Sequence, residues 1–251
     1  MSEKVTKPPL VSLIIPCLNE AGVVNELLDQ LTAQEDQRLE IIAVDNKSSD
    51  DTLAILSSYK TSGVRVVSGI EEGVSRARNA GAKIATGTWL VFLDADSTVP
   101  QGFIADLLQL VEGDPSFDLA ALAYRAQTTN VVFRALTVAA QAYQRGMFHV
   151  SKKPLVPGSF VLVRADLHRK IGGYDEKIRY NEDFEYSTRA YKACGSFKSL
   201  HAPFVYFSMR RLEHGGWRGV LRTYLKAEYE RMRGRVYDPK EYDMSDHTMK
   251  K

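Results

Sequence analysis

Acidic and amide side chains gather where three apolar runs of this sequence end, and those positions are where chemistry is expected. Pro16–Cys17–Leu18–Asn19–Glu20 closes one run, Asp45 through Asp51 (DNKSSDD) closes a second, and Asp94–Ala95–Asp96 closes a third. Carboxylates crowded together raise one another's pKa unless a cation or hydrogen-bond donors neutralise them. The ordinary role for such residues is helix capping, which suits Asp50 or Ser48 and leaves Asp45 open between a cap and a ligand contact. Asp94 and Asp96 are different, because they flank a single residue at the end of the very apolar run WLVFL. Such a pair suits Mg²⁺ or Mn²⁺, which take one or two carboxylates together with phosphate oxygens from a substrate. Arg76, Arg78 and Asn79, inside GVSRARNAG, are further donors for a diphosphate, although Arg76 reads as part of a solvated helix face.

Farther along, Glu182–Asp183 lies in YNEDFE, at the start of an expected helix. Acids there are favoured by the helix dipole without any catalytic role. A partly buried carboxylate at that place also suits general-base work, provided it can hydrogen-bond the proton it removes. His149, His201 and His214 stand alone in the sequence, and a lone histidine is ordinarily exposed or satisfied by one hydrogen bond. Cys17 and Cys194 read as small apolar residues with no role in the chemistry.

The elements that must position these groups alternate through the first half. Val11–Pro16 is a continuous β-branched run, as expected for a strand covered on both faces. Val23–Leu31 has helical spacing, and Leu39–Val44 is a second strand with a helix beginning near Asp50. Val64–Val67, a helix over Val74–Ile84, and the strand Trp89–Leu93 follow. Pro100 suits the first turn of the next helix and Gly113 its exit. Four β–α units in succession imply a mostly parallel, Rossmann-like α/β sheet flanked by helices. In such sheets ligands bind beyond the carboxyl ends of the strands, where the acidic groups stand.

After Asp118 the rhythm changes. Leu119–Tyr124 reads as a strand and Val131–Val150 as one long helix carrying Arg134, Gln141, Gln144 and Arg145. Ser159–Val163 and Phe204–Phe207 are strand candidates, Ala165–Ile171 a short helix, and Asp183–Cys194 a helix closed by Gly195. Gly216–Arg233 is a basic amphipathic stretch with Trp217, Val220, Leu221, Tyr224 and Leu225 on one face. It suits either packing on the domain or lying in a membrane interface. The expected organisation is a single domain over 1–251: a donor-binding half at 10–124, an acceptor-binding extension at 125–236 and a polar tail at 237–251.

Composition excludes several classes. The chain has 251 residues, 44% hydrophobic and 25% charged, enough for a core of its own. A net charge of +2 lacks the basic excess of a nucleic-acid binder. Two cysteines make neither a zinc motif nor a disulfide framework, which fits a reducing compartment. The polar N-terminus does not read as a signal peptide, and no run approaches a membrane span of about 18 residues. The expectation is a cytoplasmic protein, with peripheral contact at the inner membrane face through 216–233 left open.

Taken together, IIPCLNE, VDNKSSDDT, GVSRARNAG, FLDADS, GGYDE and NEDFE resemble, in order and spacing, the family 2 glycosyltransferases of the GT-A fold. The resemblance covers roughly Val11 to Phe207. It implies an inverting transferase that moves a sugar from a nucleoside-diphosphate sugar, most commonly a UDP-sugar, to an acceptor hydroxyl with Mn²⁺ or Mg²⁺. Its setting would be cell-surface polysaccharide or glycolipid biosynthesis, with a sugar, a lipid-linked molecule or another hydroxyl compound as acceptor. By the same resemblance Pro16, Asn19 and Glu20 lie at the nucleotide pocket, Asp45 reaches the base, and Arg78 lies near the base or diphosphate. Asp94 faces the ribose or a metal-bound water, and Asp96 ligates the metal, with His214 as a possible further ligand. Asp183 is the general base, Glu182 its acidic neighbour, and Tyr174 and Asp175 belong to the acceptor side. Glu182 or Asp175 positions the acceptor. Family members often carry Gly where Lys47 stands.

Two other functions compete. A sugar nucleotidyltransferase would show a glycine-rich basic loop after the first strand, and here that loop holds only Gly22. The absence of Gly-x-Gly-x-x-Gly also argues against a dinucleotide-dependent oxidoreductase. A GT-A domain that binds a sugar nucleotide or partner without turnover would have no need of Asp94, Asp96 and Asp183 together.

Overall fold

A computed structural model describes residues 10–114, 116–154, 156, 160–208 and a few positions between 226 and 249. The expected alternation is present: β1 (Val11–Cys17), α1 (Val24–Thr32), β2 (Leu39–Asp45), α2 (Thr52–Ser58), β3 (Arg65–Val67), α3 (Val74–Ile84) and β4 (Trp89–Phe92). Next come α4 (Phe103–Gly113), β5 (Leu119–Ala126), α5 (Val131–Ser151), β6 (Val161–Arg164), α6 (Ala165–Lys170), α7 (Glu182–Cys194) and β7 (Phe197–Phe207). A two-residue pair, β8 (Tyr242–Asp243) and β9 (Thr248–Met249), forms separately.

One sheet of seven strands, ordered β3-β2-β1-β4-β6-β5-β7, takes strands from both halves of the chain. β1 pairs in parallel with β2 and β4, β2 with β3, and β5 with β7. β6 alone is antiparallel, inserted between β4 and β5. Because β6 runs against both neighbours, β5 and β7 point the same way as β1, β2 and β4. Their carboxyl ends therefore share one edge.

Two apolar layers cover the sheet, and strand alternation decides which side chains join which layer. Leu13 and Ile15 of β1, with Trp89 and Val91 of β4, pack with Leu27, Leu28, Phe103 and Leu107 from α1 and α4. Ile14, Leu90 and Phe92 face the opposite layer, with Ala77 of α3 and Tyr186 of α7. Gly81 lets α3 lie close on β1: a Cβ there would come 2.5 Å from Ile14 Cγ2.

β7 is longer than the sequence suggested, beginning at Phe197 rather than Phe204. Its first residues are mixed in polarity, and their pairing with Leu119–Ala121 supplies order that local propensity does not. The helix expected over Gly216–Arg233 lies almost entirely outside the described residues, as does His214.

Candidate active site

The loops after β1 and β2 at the carboxyl edge are tied together by their own polar side chains. After β1, the backbone N–H of Asn19 donates to Ser48 Oγ at 3.0 Å, Glu20 N–H to Thr52 Oγ1 at 2.8 Å, and Ala21 N–H to Asp50 Oδ2 at 3.1 Å. Asn19 Oδ1 accepts from Ser49 N–H at 2.8 Å. Asp50 also accepts from Thr52 N–H at 3.0 Å, but the N-cap of α2 is Asp51, one residue later than the sequence suggested, and its side chain makes no capping hydrogen bond. Asp45 is no helix cap. It ends β2 with 3% of its surface exposed, and its Oδ1 accepts weakly from Ser48 N–H at 3.4 Å. Glu20 is buried as well, while Pro16 is half-buried within β1. Lys47 has φ 66°, in the left-handed region where glycine is unstrained, which explains why Gly suits that position.

The loop carrying Asp94 and Asp96 is held from both sides. Leu93 N–H donates to Ile14 O at 3.0 Å, and Ser97 N–H turns back to Asp94 O at 3.1 Å. Thr98 exchanges two backbone hydrogen bonds with Tyr206 near the end of β7, at 2.8 and 2.9 Å. Val99 N–H donates to Gln30 of α1 at 2.7 Å. Both carboxylates stay partly exposed at this pinned turn.

Arg78 connects this carboxyl edge of the sheet to the second half of the chain. Its guanidinium is 3% exposed, with Nη1 2.7 Å from Glu182 Oε1 and Nη2 3.4 Å from Asp94 Oδ1. It also lies over the Tyr174 ring, 5.2 Å from the centroid. Burial opposes its charge, yet Tyr174, Glu182 and Asp94 together hold its pKa above the ordinary arginine value. Such a planar fork joining two carboxylates is work that a lysine ammonium does poorly. Arg76, by contrast, faces outward toward Glu71 and Glu176.

Glu182 and Asp183 open α7, behind Asn181 at φ 59°. Glu182 is turned inward to Arg78, while Asp183 remains partly exposed and accepts from Phe184 N–H at 2.7 Å. Glu185 is instead paired with Arg189 through two contacts of 2.7 and 2.8 Å. The Tyr174 phenol marks how closely the acids converge. Burial is the main reason its pKa is raised, Arg78 opposes the rise, and Glu182, Asp183 and Asp94 all add to it.

Tyr174 is the floor of the site rather than part of its open surface. It is 2% exposed and stacks on Tyr186 with ring centroids 3.9 Å apart. Asn79 clamps its backbone, accepting from Tyr174 N–H at 2.8 Å and donating to Tyr174 O at 2.9 Å. Gly173 makes that clamp fit: at φ 73° it is left-handed, and a Cβ would come 2.5 Å from Asn79 Oδ1. Asp175 next to it is exposed. Sequence reasoning overlooked the support from His168, whose Nδ1 lies 2.8 Å from the Tyr186 hydroxyl. Nothing in its spacing distinguishes it from a surface histidine, since only the fold brings α6 onto α7. His201 sits on β7 beside Arg145, and His149 is exposed on α5.

Among the described residues, no group of three or more His, Cys, Asp or Glu forms a metal cage. The donor set at Asp94–Asp96 is nonetheless all hard oxygen, and among the described residues the buried Ser97 Oγ beside it and Asn46 Oδ1 just after β2 have no hydrogen-bond partner. That chemistry fits a cation sharing its coordination with substrate phosphates, not one held by protein alone.

The sequence profile of glycosyl transferase family 2 matches residues 12–172, well over half of the chain. The chain belongs to that family. It is 25% identical over 178 residues to an uncharacterized glycosyltransferase of Haemophilus influenzae, covering 70% of this chain and 60% of that protein. It is 28% identical over 190 residues to a PGL/p-HBAD biosynthesis glycosyltransferase of Mycobacterium bovis, covering 73% of this chain and 70% of that one. Among solved structures, S. aureus TarS 1–349 in complex with UDP-GlcNAc aligns with TM-score 0.65 at 20% identity, over 79% of this chain and 58% of TarS 1–349. Mannosyltransferase PcManGT from Pyrobaculum calidifontis, in complex with GDP-Man and Mn²⁺, aligns with TM-score 0.66 at 18% identity, over 96% of this chain and 69% of that one. These likenesses make the fold a GT-A fold. The family 2 profile ends at residue 172, short of Glu182 and Asp183, so the Arg78 bridge is the link between the matched region and the remaining acids.

Proposed function

We propose that this chain transfers a sugar from a nucleoside-diphosphate sugar to an acceptor hydroxyl, with inversion at the anomeric carbon. The observation that carries the reading is the Arg78 bridge, which brings Asp94 at the donor edge and Glu182 at the acceptor side onto one buried guanidinium. Asp183, next to Glu182 and partly exposed, takes the proton from the acceptor hydroxyl. The acceptor oxygen then bonds to the anomeric carbon as the bond to the diphosphate breaks, and the electron pair leaves with the diphosphate. One displacement inverts the centre and needs no covalent enzyme intermediate.

Pro16, Asn19, Glu20 and Asp45 form the nucleotide pocket, with Asp45 toward the base. The Asn19 and Ser48–Ser49 hydrogen bonds keep that pocket's walls in register before any ligand arrives. Asp94 would face the ribose or the cation's hydration, and Asp96 would hold Mn²⁺ or Mg²⁺ directly, with His214, which lies outside the described residues, as the candidate further ligand. When bound, the cation offsets negative charge on the leaving diphosphate. Asp175 orients the acceptor, and Tyr174 supports it from below. A UDP-sugar is the first expectation for the donor, with GDP- and dTDP-sugars behind it. TarS in complex with UDP-GlcNAc and PcManGT with GDP-Man and Mn²⁺ support donors of this class.

The setting we assign is the cytoplasmic side of a membrane, in cell-surface polysaccharide or glycolipid synthesis, with 216–233 as one peripheral contact. Among the described residues no helix is long and apolar enough to cross a membrane. Thermal-shift measurements with a panel of nucleotide sugars, each with Mn²⁺ and with chelator, test the donor assignment. Ligand at about 100 times its Kd adds roughly 2.7 kcal/mol of apparent stability, a readily measured shift. A metal-dependent shift confined to one nucleotide is expected; no shift with any of them would overturn the reading. Asp183→Asn is expected to abolish transfer and keep the donor-induced shift.

A further inference from the structure

Helix α5 is built the wrong way round for a helix that only packs on its own domain. The middle of its inward face is polar. Thr137 is buried, Gln141 Nε2 donates to Tyr124 O at 2.8 Å, and Gln144 Oε1 accepts from the Tyr124 hydroxyl at 3.0 Å. Apolar side chains join the packing toward its two ends, where Phe133 is half-buried and Phe148 meets Tyr191 and Phe197. The outward face is the apolar one: Val132 is 64% exposed, Leu136 57%, Val138 65% and Val150 82%. Between them lie Ala135, Ala139, Ala142 and Gly146, all exposed. No Asp or Glu interrupts that face.

Charge decides what covers it. From Leu119 through Ala165 the sequence holds no acidic residue, while Arg134 and Lys152 are exposed near the two ends of α5. A second copy of α5 would bring cations against cations with no carboxylate to pair them. The segment following β7 is no better suited, since residues 209–225 hold four Arg against one Glu. An anionic lipid surface satisfies both features, accepting the apolar stripe among its acyl chains and the flanking cations among its headgroups. Tyr143, half-exposed on the same face, has the apolar body and polar tip that suit the headgroup boundary.

We propose that α5 is an interfacial helix that lies in an anionic membrane surface through Val132, Leu136, Tyr143 and Val150. Its N-terminus follows directly from the carboxyl end of β5, the edge that also carries Asp45 and Asp94. The bilayer would then meet the molecule on its second half, through the helix that follows β5. This contact is separate from 216–233 and does not depend on the transferase reading, because lipid binding is measured without donor or acceptor.

The test is co-sedimentation of the full chain with phosphatidylglycerol-containing vesicles and with pure phosphatidylcholine vesicles. The wild type should bind the anionic vesicles, and binding should weaken steeply with salt. The double variant V132E/L136E should bind at least about tenfold more weakly, since it removes buried apolar area and adds like charge. Its thermal melt should be unchanged, because both side chains already face solvent. A polarity-sensitive dye on Leu136→Cys reports the same face directly and should shift to the blue only when anionic vesicles are added. Unchanged vesicle binding by V132E/L136E would overturn the proposal and leave 216–233 as the contact. A dye already blue-shifted without lipid would also overturn it. Concentration dependence of that signal would then assign the face to a second copy, and independence to a segment of the same chain.

Discussion

Arg78 has the most consequence per atom of any side chain in the site. It is the counter-charge for two carboxylates on different halves of the chain, and it is almost completely desolvated. Removing one partner of a buried ion pair leaves the others unpaired, which typically costs roughly 3–5 kcal/mol. Arg78→Ala should therefore lower stability by about 3 kcal/mol, at the lower end because Asp94 and Glu182 reach some solvent. Urea unfolding measures this. Arg78→Lys should fall between, because a single ammonium cannot span Glu182 and Asp94 as the guanidinium does. A loss under about 0.5 kcal/mol for Arg78→Ala would mean that the bridge does not hold the halves together.

His168 gives the site's foundation a pH dependence. Burial, with Arg189 and Arg169 adding, lowers its pKa from 6.5 to about 4. The unfolded chain therefore binds a proton through that interval that the folded chain excludes. Stability is full above about pH 6.5 and falls as pH drops toward 4, by roughly 3 kcal/mol across the interval. Urea titrations from pH 7.5 to pH 4.5 should show the decline, and it should be shallower in His168→Gln. An equal slope in that variant would assign the acid sensitivity elsewhere.

Among the elements, α3 matters more than its length suggests. It carries Arg78 and Asn79 on one side and rests on β1 through Gly81 on another. Gly81→Ala would push a methyl group to 2.5 Å from Ile14 Cγ2, so the helix or the strand must shift. Overpacking of this kind costs roughly 1–3 kcal/mol. Because the displaced helix holds the Asn79 clamp and the Arg78 bridge, transfer activity should drop more than stability alone explains. A folded variant with full activity would mean that α3 tolerates the shift. Strand period and helix period made such elements readable in advance. Val74–Ile84 was expected residue for residue, and β1, β2 and β4 were placed within a residue or two. The acids at the strand ends were legible for the same reason, since a parallel sheet sends them all to one edge. What the sequence hid was long-range: the antiparallel insertion of β6, the early start of β7, and the inversion of α5. Val131–Val150 has ordinary amphipathic spacing, which says that one face is apolar and not which way that face points. Tyr174 was named, but its buried place under Arg78 was hidden likewise, because that depends on Asn79, 95 positions away along the chain.

At the scale of the whole molecule, the two halves share one sheet, and that dictates how the chain can be cut. β5 has β6 on one side and β7 on the other, and β7 in turn holds the Asp94–Asp96 loop through Thr98 and Tyr206. A fragment ending at residue 172, where the family 2 profile stops, lacks α7 and β7. It would lose the buried Tyr186, Leu200 and Val205 and would leave β5 as a bare apolar edge, which invites aggregation. It would also lose Glu182, so Arg78 would be left with Asp94 alone. A fragment spanning residues 10–208 keeps all seven strands and both apolar layers. The expected result is cooperative unfolding for 10–208 and an aggregating, non-cooperative product for 10–172, measured by circular dichroism and light scattering. If 10–172 unfolded cooperatively, that segment would be an independent domain, and Arg78 would join it to a second unit instead of joining two parts of one sheet.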